Sequence, residues 1–281
     1  HGAGSACGRA MSSAPSSTIG EQRRTNYALA TMSEDAFVAA ISVGQPVAPA
    51  YFGYAASTNR RTHQLLTDDD AFRELSLAEL DQLREKGAVV IDGRAPEVFA
   101  SGHLGGSINV SLDGRFAEYA GDVIEPGQPI VVVADPGREA EAKTRLARIG
   151  LDSVVGYLPD IEDVLVDHPD RAARALRLPV VDLASWMEAE TDLQLVDVRN
   201  PSEHEGGIIP GACLMPLPLV REGLSELDPQ RPTVVVCASG SRSSVAASLM
   251  RQRGFARVAD LLGGFGAWTA AGKATILPAG T

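Results

Sequence analysis

Thiols are scarce in this sequence. Cys7, Cys213 and Cys237 are its only three cysteines. They are too few and too scattered for a disulfide framework or a C-x-x-C zinc site. A reducing compartment, the cytoplasm, is the simplest inference. Positive charge is also short, with 25 Lys and Arg against 36 Asp and Glu for a net charge of −11. Such a chain gains nothing from the phosphate attraction that dominates nucleic-acid binding, which argues against a nucleic-acid partner. No apolar run approaches the ~20 residues that span a bilayer, which argues against a membrane protein. The opening begins at His1 and lacks the basic-then-apolar order of a signal peptide. The chain therefore reads as processed or as cut from something longer.

What is present suits a folded protein. Of the 281 residues, 44% are hydrophobic and 22% charged, enough for about two domains with cores of their own. The chain also repeats itself. I-D-G-R-A-P at 91–96 returns as V-D-V-R-N-P at 196–201, an offset of 105. G-H-L-G-G-S-I-N-V from Gly102 answers G-I-I-P-G-A-C-L-M from Gly207. P-I-V-V-V-A-D-P-G at 129–137 answers P-T-V-V-V-C-A-S-G at 232–240. Self-similarity of this kind marks two copies of one structural unit.

Each copy alternates helix and strand signals. In the first, Ser76 and Glu79 form a capping box before Leu77, Leu80 and Leu83, and Gly87 ends that helix. Ala88 to Ile91 and Ile130 to Val133 read as buried strands. In the second, Asp182 is expected to cap a helix through Trp186 and Met187, with strands from Leu193 to Val198 and Thr233 to Val236. Alternating elements with β-branched runs predict an α/β fold, each copy a mostly parallel sheet flanked by helices. The Asp163 to Leu178 stretch reads as a connector.

The stretch V-V-V-C-A-S-G-S-R-S-S from Val234 carries the chemistry. A buried strand ends at Cys237, a loop of small residues follows, and a helix bearing Val245, Leu249 and Met250 begins. Open α/β sheets place ligand sites at the carboxyl ends of their strands. Loop amides, the helix N-terminus and the Arg242 cation all favour a thiolate, the reactive form of cysteine. Gly240 permits a tight curl with amides turned inward. A cysteine ending a core strand also packs well as a small hydrophobe; the company of Gly240 and Arg242 is what points to a reactive Cys237. Four residues separate Cys237 from Arg242. Cysteine phosphatases and arsenate reductases use C-x5-R to surround a tetrahedral oxyanion, and the shorter loop suits a single sulfur carried on the cysteine.

These segments resemble the rhodanese family of sulfurtransferases. D-V-R-N-P-S-E-H-E-G-G-I-I-P-G-A (197–212), C-A-S-G-S-R-S (237–243) and L-L-G-G-F-G-A-W (261–268) carry the likeness, which covers most of residues 180–272. One departure is Ile208, where the family usually has His. The resemblance implies that Cys237 is the sulfur-carrying nucleophile, that Arg242 binds an anionic donor, and that loop residues Ala238, Ser239, Gly240, Ser241 and Ser243 hold the persulfide. Donors would be thiosulfate or a low-molecular-weight persulfide, and acceptors a thiol, sulfite or cyanide. No cofactor is implied for this chemistry, and homo-oligomerisation stays open. Asp197 and Arg199 read as a structural ion pair, and Trp268 and Phe265 as core. Two other readings stand beside this one: a rhodanese-like scaffold or binding module in which Cys237 is incidental, and a cysteine phosphatase or arsenate reductase.

The expected organisation is an active rhodanese domain at 176–281 and a silent copy at 73–165, with Ala134 or Asp135 at the nucleophile position and Pro136 removing a loop amide. Residues 1–66 have a different character. Their H-G-A-G-S-A-C-G opening resembles the tail of the metallo-β-lactamase-like domain fused to rhodanese domains in persulfide dioxygenase-related proteins. There the histidine, here His1, is a metal ligand. The H-x-H-x-D-H motif that supplies the other ligands is absent from these 281 residues, so no working iron or zinc site is expected in this chain; such a metal would belong to a longer parent protein. Cys7 reads as turn packing and Cys213 as core. His63, His103, His168 and His204 show no ligand spacing and read as surface or capping residues.

Overall fold

The computed structural model describes residues 16–42, 47–61, 72–189 and 192–278. The opening segment contributes helices α1 (Ile19–Thr25), α2 (Glu34–Ser42) and α3 (Phe52–Thr58). Ahead of α2 the Ser33 hydroxyl accepts from the Ala36 amide at 3.3 Å. The segment docks on the first repeat just before α3. There the Ala50 amide donates to the buried Asp122 carboxylate at 3.0 Å, and the Tyr51 ring fills the space that a side chain at Gly121 would need. Burial pushes the Asp122 carboxyl up to about 7.

The first repeat runs α4 (Leu77–Glu85), β1 (Val89–Asp92), α5 (Pro96–Ser101), β2 (His103–Leu104), β3 (Ile108–Asn109), α6 (Phe116–Val123), β4 (Ile130–Val133), α7 (Glu139–Ala147), β5 (Val154–Tyr157) and α8 (Ile161–Asp167). Strands β6 (Ala172–Ala173) and β7 (Leu176–Leu178) lead into the second, which runs α9 (Val180–Ala189), β8 (Gln194–Asp197), a 3-10 turn at Pro201–Gly206, β9 (Cys213–Leu214), α10 (Leu217–Gly223), β10 (Thr233–Val236), α11 (Ser241–Gln252), β11 (Val258–Leu261) and α12 (Gly264–Ala270). The capping box at Ser76 and Glu79 forms as expected.

The sheets have one topology. The first is ordered β3-β1-β4-β5 and the second β7-β11-β10-β8-β9, with every pairing in both parallel. The Glu74–Tyr157 bridge stands in the first where β7 stands in the second. Their central strands are buried on both faces, which explains their unbroken Val and Ile runs. Each fully buried Val, Ile or Leu contributes roughly 1.5–3 kcal/mol.

Strand alternation decides which side chains face the partner repeat. Ile130 and Val132 lie in one apolar cluster with Val235, Cys237, Leu249 and Met250. Val131 and Val133 pack on the outer face of the first sheet, and Val234 and Val236 on the outer face of the second. The two repeats thus share an inner core, and Cys237 points into it. Helix α6 packs on α10, and α11 on β3. At that junction the Asn109 side-chain oxygen accepts from the Ser244 hydroxyl at 2.7 Å, and the Asn109 amide donates to the Ser248 hydroxyl at 2.9 Å.

Several expectations are corrected. Helix α9 begins at Val180 behind Pro179, so Asp182 lies inside its first turn and does not cap it. The 163–178 stretch is structured. It completes α8, pairs β6 antiparallel with β2, and delivers β7 as the edge strand of the second sheet. Cys213 is exposed, because β9 is a two-residue edge strand. His103 and His204 are buried, not on the surface. The His103 ring stacks on Phe99 at 3.7 Å between centroids, with Nδ1 bonded to the Phe99 carbonyl at 2.8 Å. His168 is exposed at the C-cap of α8. His1, Cys7 and His63 lie outside the described residues.

Candidate active site

Strand β10 sits between β11 and β8 at the centre of the second sheet and delivers Cys237 at its carboxyl end. The chain then turns through Ala238 and Ser239 to Gly240, whose φ of 107° is a left-handed conformation that favours glycine. Helix α11 starts at the next residue. The Gly240 amide donates to the Cys237 sulfur at 3.1 Å. The Cys237 thiol donates to the Ser243 hydroxyl at 3.5 Å, and that hydroxyl donates to Asp260 at 3.2 Å.

The loop is fastened from below by α12. The Phe265 amide donates to the Cys237 carbonyl at 2.7 Å, and the Gly266 amide to the Ala238 carbonyl at 3.0 Å. Gly264, with φ of 58°, lies so close that a Cβ there would overlap the Cys237 and Ala238 backbone. In a trans peptide the amide opposes the carbonyl, so the N–H groups of Ala238 and Ser239 point away from α12. Cys237 is only 1% exposed. Ser239 and Ser241 face solvent, while Ala238 is half-buried.

Arg242 rises from the first turn of α11 and is held by Glu203, its two guanidinium nitrogens at 2.6 and 2.7 Å from the two carboxylate oxygens. Burial works to lower the Arg242 pKa, but the Glu203 hydrogen bonds and charge outweigh it and leave it raised. Burial works to raise the Glu203 carboxyl; the Arg242 hydrogen bonds and charge prevail and hold it below the usual range. The Asn200 amide adds a bond to Glu203 at 2.9 Å. Arg199 fixes the same turn. Its guanidinium pairs with Asp197 at 2.6 Å, donates to the Glu203 and Gly207 carbonyls, and lies 3.8 Å over the centre of the Phe265 ring. On the opposite side, Arg177 pairs with Asp260 and donates to the Gly240 carbonyl at 3.3 Å.

The first repeat reaches the same place. Helix α6 packs against α11 and sets Glu118 and Tyr119 within electrostatic reach of Arg242, and Tyr119 within reach of Cys237. Arg115 pairs with Glu118 at 2.6 Å.

The equivalent loop of the first repeat is built differently. Val133 pairs with Asp92 as Val236 pairs with Asp197, so the residue after the strand, Ala134, stands in the place of Cys237. The carboxylate of Asp135 comes one position later. Gly137 keeps the left-handed turn of Gly240, with φ of 86°. Glu139 falls where Arg242 stands, and Arg138 is tied to Asp113 and Glu141.

Of the residues singled out from sequence, Cys237, Gly240, Arg242 and Ser243 converge, and Ser243 does so through its hydroxyl. Ala238, Ser239 and Ser241 form the loop's outer arc. Glu203, Asp260, Arg177 and Tyr119 were not anticipated. Glu203 lies within the 197–212 segment, yet nothing in its spacing points to Arg242, 39 residues on. Trp268 is core, donating to the Ala274 carbonyl at 2.9 Å. Phe265 is half-buried at the edge of the same apolar cluster. Among the described residues no group of three or more His, Cys, Asp or Glu is placed to hold a metal ion, and His1 lies outside them.

Residues 76–160 and 180–271 each match the rhodanese-like domain. The chain belongs to the rhodanese-like family. Within it, 89 residues, 32% of the chain, are 39% identical to a sulfurtransferase of Allochromatium vinosum and cover 83% of that protein. A further alignment is 35% identical over 107 residues to the Mycobacterium tuberculosis protein named "Probable adenylyltransferase/sulfurtransferase MoeZ", covering 37% of this rhodanese-like chain and 27% of that relative. Among solved structures, a metallo-beta-lactamase from Staphylococcus aureus aligns with 56% of the chain and 42% of its own length, at 27% identity and a TM-score of 0.48. No described helix of this rhodanese-like protein is long and apolar enough to cross a membrane.

Proposed function

We propose that the second repeat is a sulfurtransferase in which Cys237 carries sulfane sulfur. The observation that carries this reading is the Gly240 amide on the Cys237 sulfur, in a four-residue loop between strand and helix. The Cys237 thiolate attacks the outer sulfur of thiosulfate or of a low-molecular-weight persulfide. The S–S bond of the donor breaks, sulfite or a thiolate leaves with the electron pair, and Cys237 keeps the sulfur as a persulfide. A thiolate, sulfite or cyanide then attacks that outer sulfur and regenerates the Cys237 thiolate. The loop amides stabilise the negative charge on sulfur at each stage. Donors approach from the side of Ser239 and Ser241, the solvent-facing residues of the loop.

The first repeat, residues 73–165, is the silent partner in this reading. Residues 176–281 are the working domain, and residues 1–66 are the tail of a metallo-β-lactamase-like domain, as the His1 to Gly8 motif suggests. The setting is sulfide and persulfide metabolism in the cytoplasm, with small-molecule donors and acceptor thiols as partners. Incubation with a sulfane donor, followed by intact-protein mass measurement, is expected to show one added sulfur. An adduct that persists in Cys237→Ser, or none in the wild type, would overturn the assignment.

A further inference from the structure

Arg242 stands in the first turn of α11 beside the thiol loop, and its fork is already filled. Glu203 takes two of its donors at 2.6 and 2.7 Å, the bidentate geometry that makes guanidinium–carboxylate pairs strong. Glu203 is itself held by the Asn200 amide and by Arg199 on its carbonyl. Three other cations bordering the site are matched too. Arg177 pairs with Asp260 and Glu97, Arg199 with Asp197, and Arg115 with Glu118. The solvent-facing loop residues, Ser239 and Ser241, are uncharged. A dianion arriving at Cys237 meets arginines whose charge is already balanced, and carboxylates that repel it.

The geometry points to Glu203 as a specificity-determining residue: by occupying the Arg242 fork it disfavours dianionic donors and reserves Cys237 for the terminal sulfur of a low-molecular-weight hydropersulfide, R–S–S–H. This rests on the sulfurtransferase reading and narrows its donor. The Cys237 thiolate bonds the terminal sulfur, the S–S bond of the donor breaks, and R–S⁻ leaves with the electron pair. The proton stays on the transferred sulfur, as Cys237–S–S–H. The donor reacts as its protonated, neutral form, which carries no charge until its bond breaks and needs no free cation.

The test compares thiosulfate with 2-hydroxyethyl hydropersulfide on wild-type protein and on Glu203→Gln. Gln keeps the shape and an acceptor for the Asn200 amide, but removes the charge that neutralises Arg242. The ratio of kcat/KM for thiosulfate to that for the hydropersulfide is expected to rise about tenfold in the variant. An unchanged or lower ratio overturns the proposal. Should the variant not fold, wild-type kinetics decide: millimolar sulfate, a dianion, is expected to leave hydropersulfide loading uninhibited, and competitive inhibition overturns the proposal. If neither donor adds sulfur to the wild type, the sulfurtransferase reading itself falls, and the selectivity with it. Loading without the change in ratio sinks the selectivity alone.

Discussion

Asn109 of the first repeat joins Ser244 of the second, its side-chain oxygen accepting from the Ser244 hydroxyl at 2.7 Å. Its side-chain nitrogen donates to the Asp92 and Arg94 carbonyls, and all of these groups are buried. One amide side chain thus ties the ion-pair corner of the first repeat to the helix that carries Arg242 and Ser243. Removing it leaves buried polar groups without partners, each costing about 1–3 kcal/mol. Asn109→Leu is expected to destabilise the whole chain by about 3 kcal/mol or more, read as a lower denaturation midpoint. A midpoint matching the wild type would show that the joint is dispensable.

The two repeats differ at an equivalent position in a way that pH reveals. His103 stands where the second repeat has Ile208. Burial pushes the His103 imidazole down to about 4, below its unfolded value near 6.5. Between these values the unfolded chain binds more protons than the folded one, so stability is full above about 6.5 and is lost as pH falls toward 4, by roughly 3 kcal/mol. His103→Ile gives up the bond to the Phe99 carbonyl, about 1 kcal/mol at neutral pH. It is expected to be the more stable protein at pH 4. Urea titrations at pH 7 and pH 4 measure the crossover.

Gly264 supports the thiol loop without touching the thiol. A methyl group there would press on the Cys237 and Ala238 backbone, in a left-handed conformation that disfavours alanine. Gly264→Ala is expected to lift the loop, cost about 1–3 kcal/mol, and slow sulfur loading more than it lowers folded yield. Mass-detected loading rates, normalised to folded protein, distinguish this from simple loss of protein.

A thiol alone is not expected to make the first repeat's loop competent. In Ala134→Cys the new thiol would follow a buried strand as Cys237 does, but Pro136 offers no amide and Glu139 stands in place of the arginine. Without that donor and with added negative charge, the thiolate is disfavoured. The variant treated with donor is expected to gain one sulfur in total, as the wild type does. Two added sulfurs would show that the cysteine was all the first repeat lacked.

The α/β class, the tandem arrangement and the central strands were legible because buried parallel strands leave unbroken β-branched runs, as in Ile130–Val133 and Thr233–Val236. The thiol loop was legible because its chemistry is local, with Cys237, Gly240 and Arg242 within six residues. What stayed hidden depends on chain-distant pairings. Glu203 meets Arg242, Asp260 meets Ser243, and α6 of one repeat reaches the thiol of the other; no local spacing encodes such contacts. Short edge strands were hidden as well. Cys213 reads as apolar core by composition, yet a two-residue strand at the margin of a sheet has nothing to cover it.

The apolar seam that joins Val132 to Leu249 is expected to make the two repeats melt as one body. Either half, expressed by itself, would carry a raw greasy face into water and invite self-association. The absence of a cysteine at Ala134 therefore does not make the first copy dispensable: it remains the other wall of the inner core that its sibling shares.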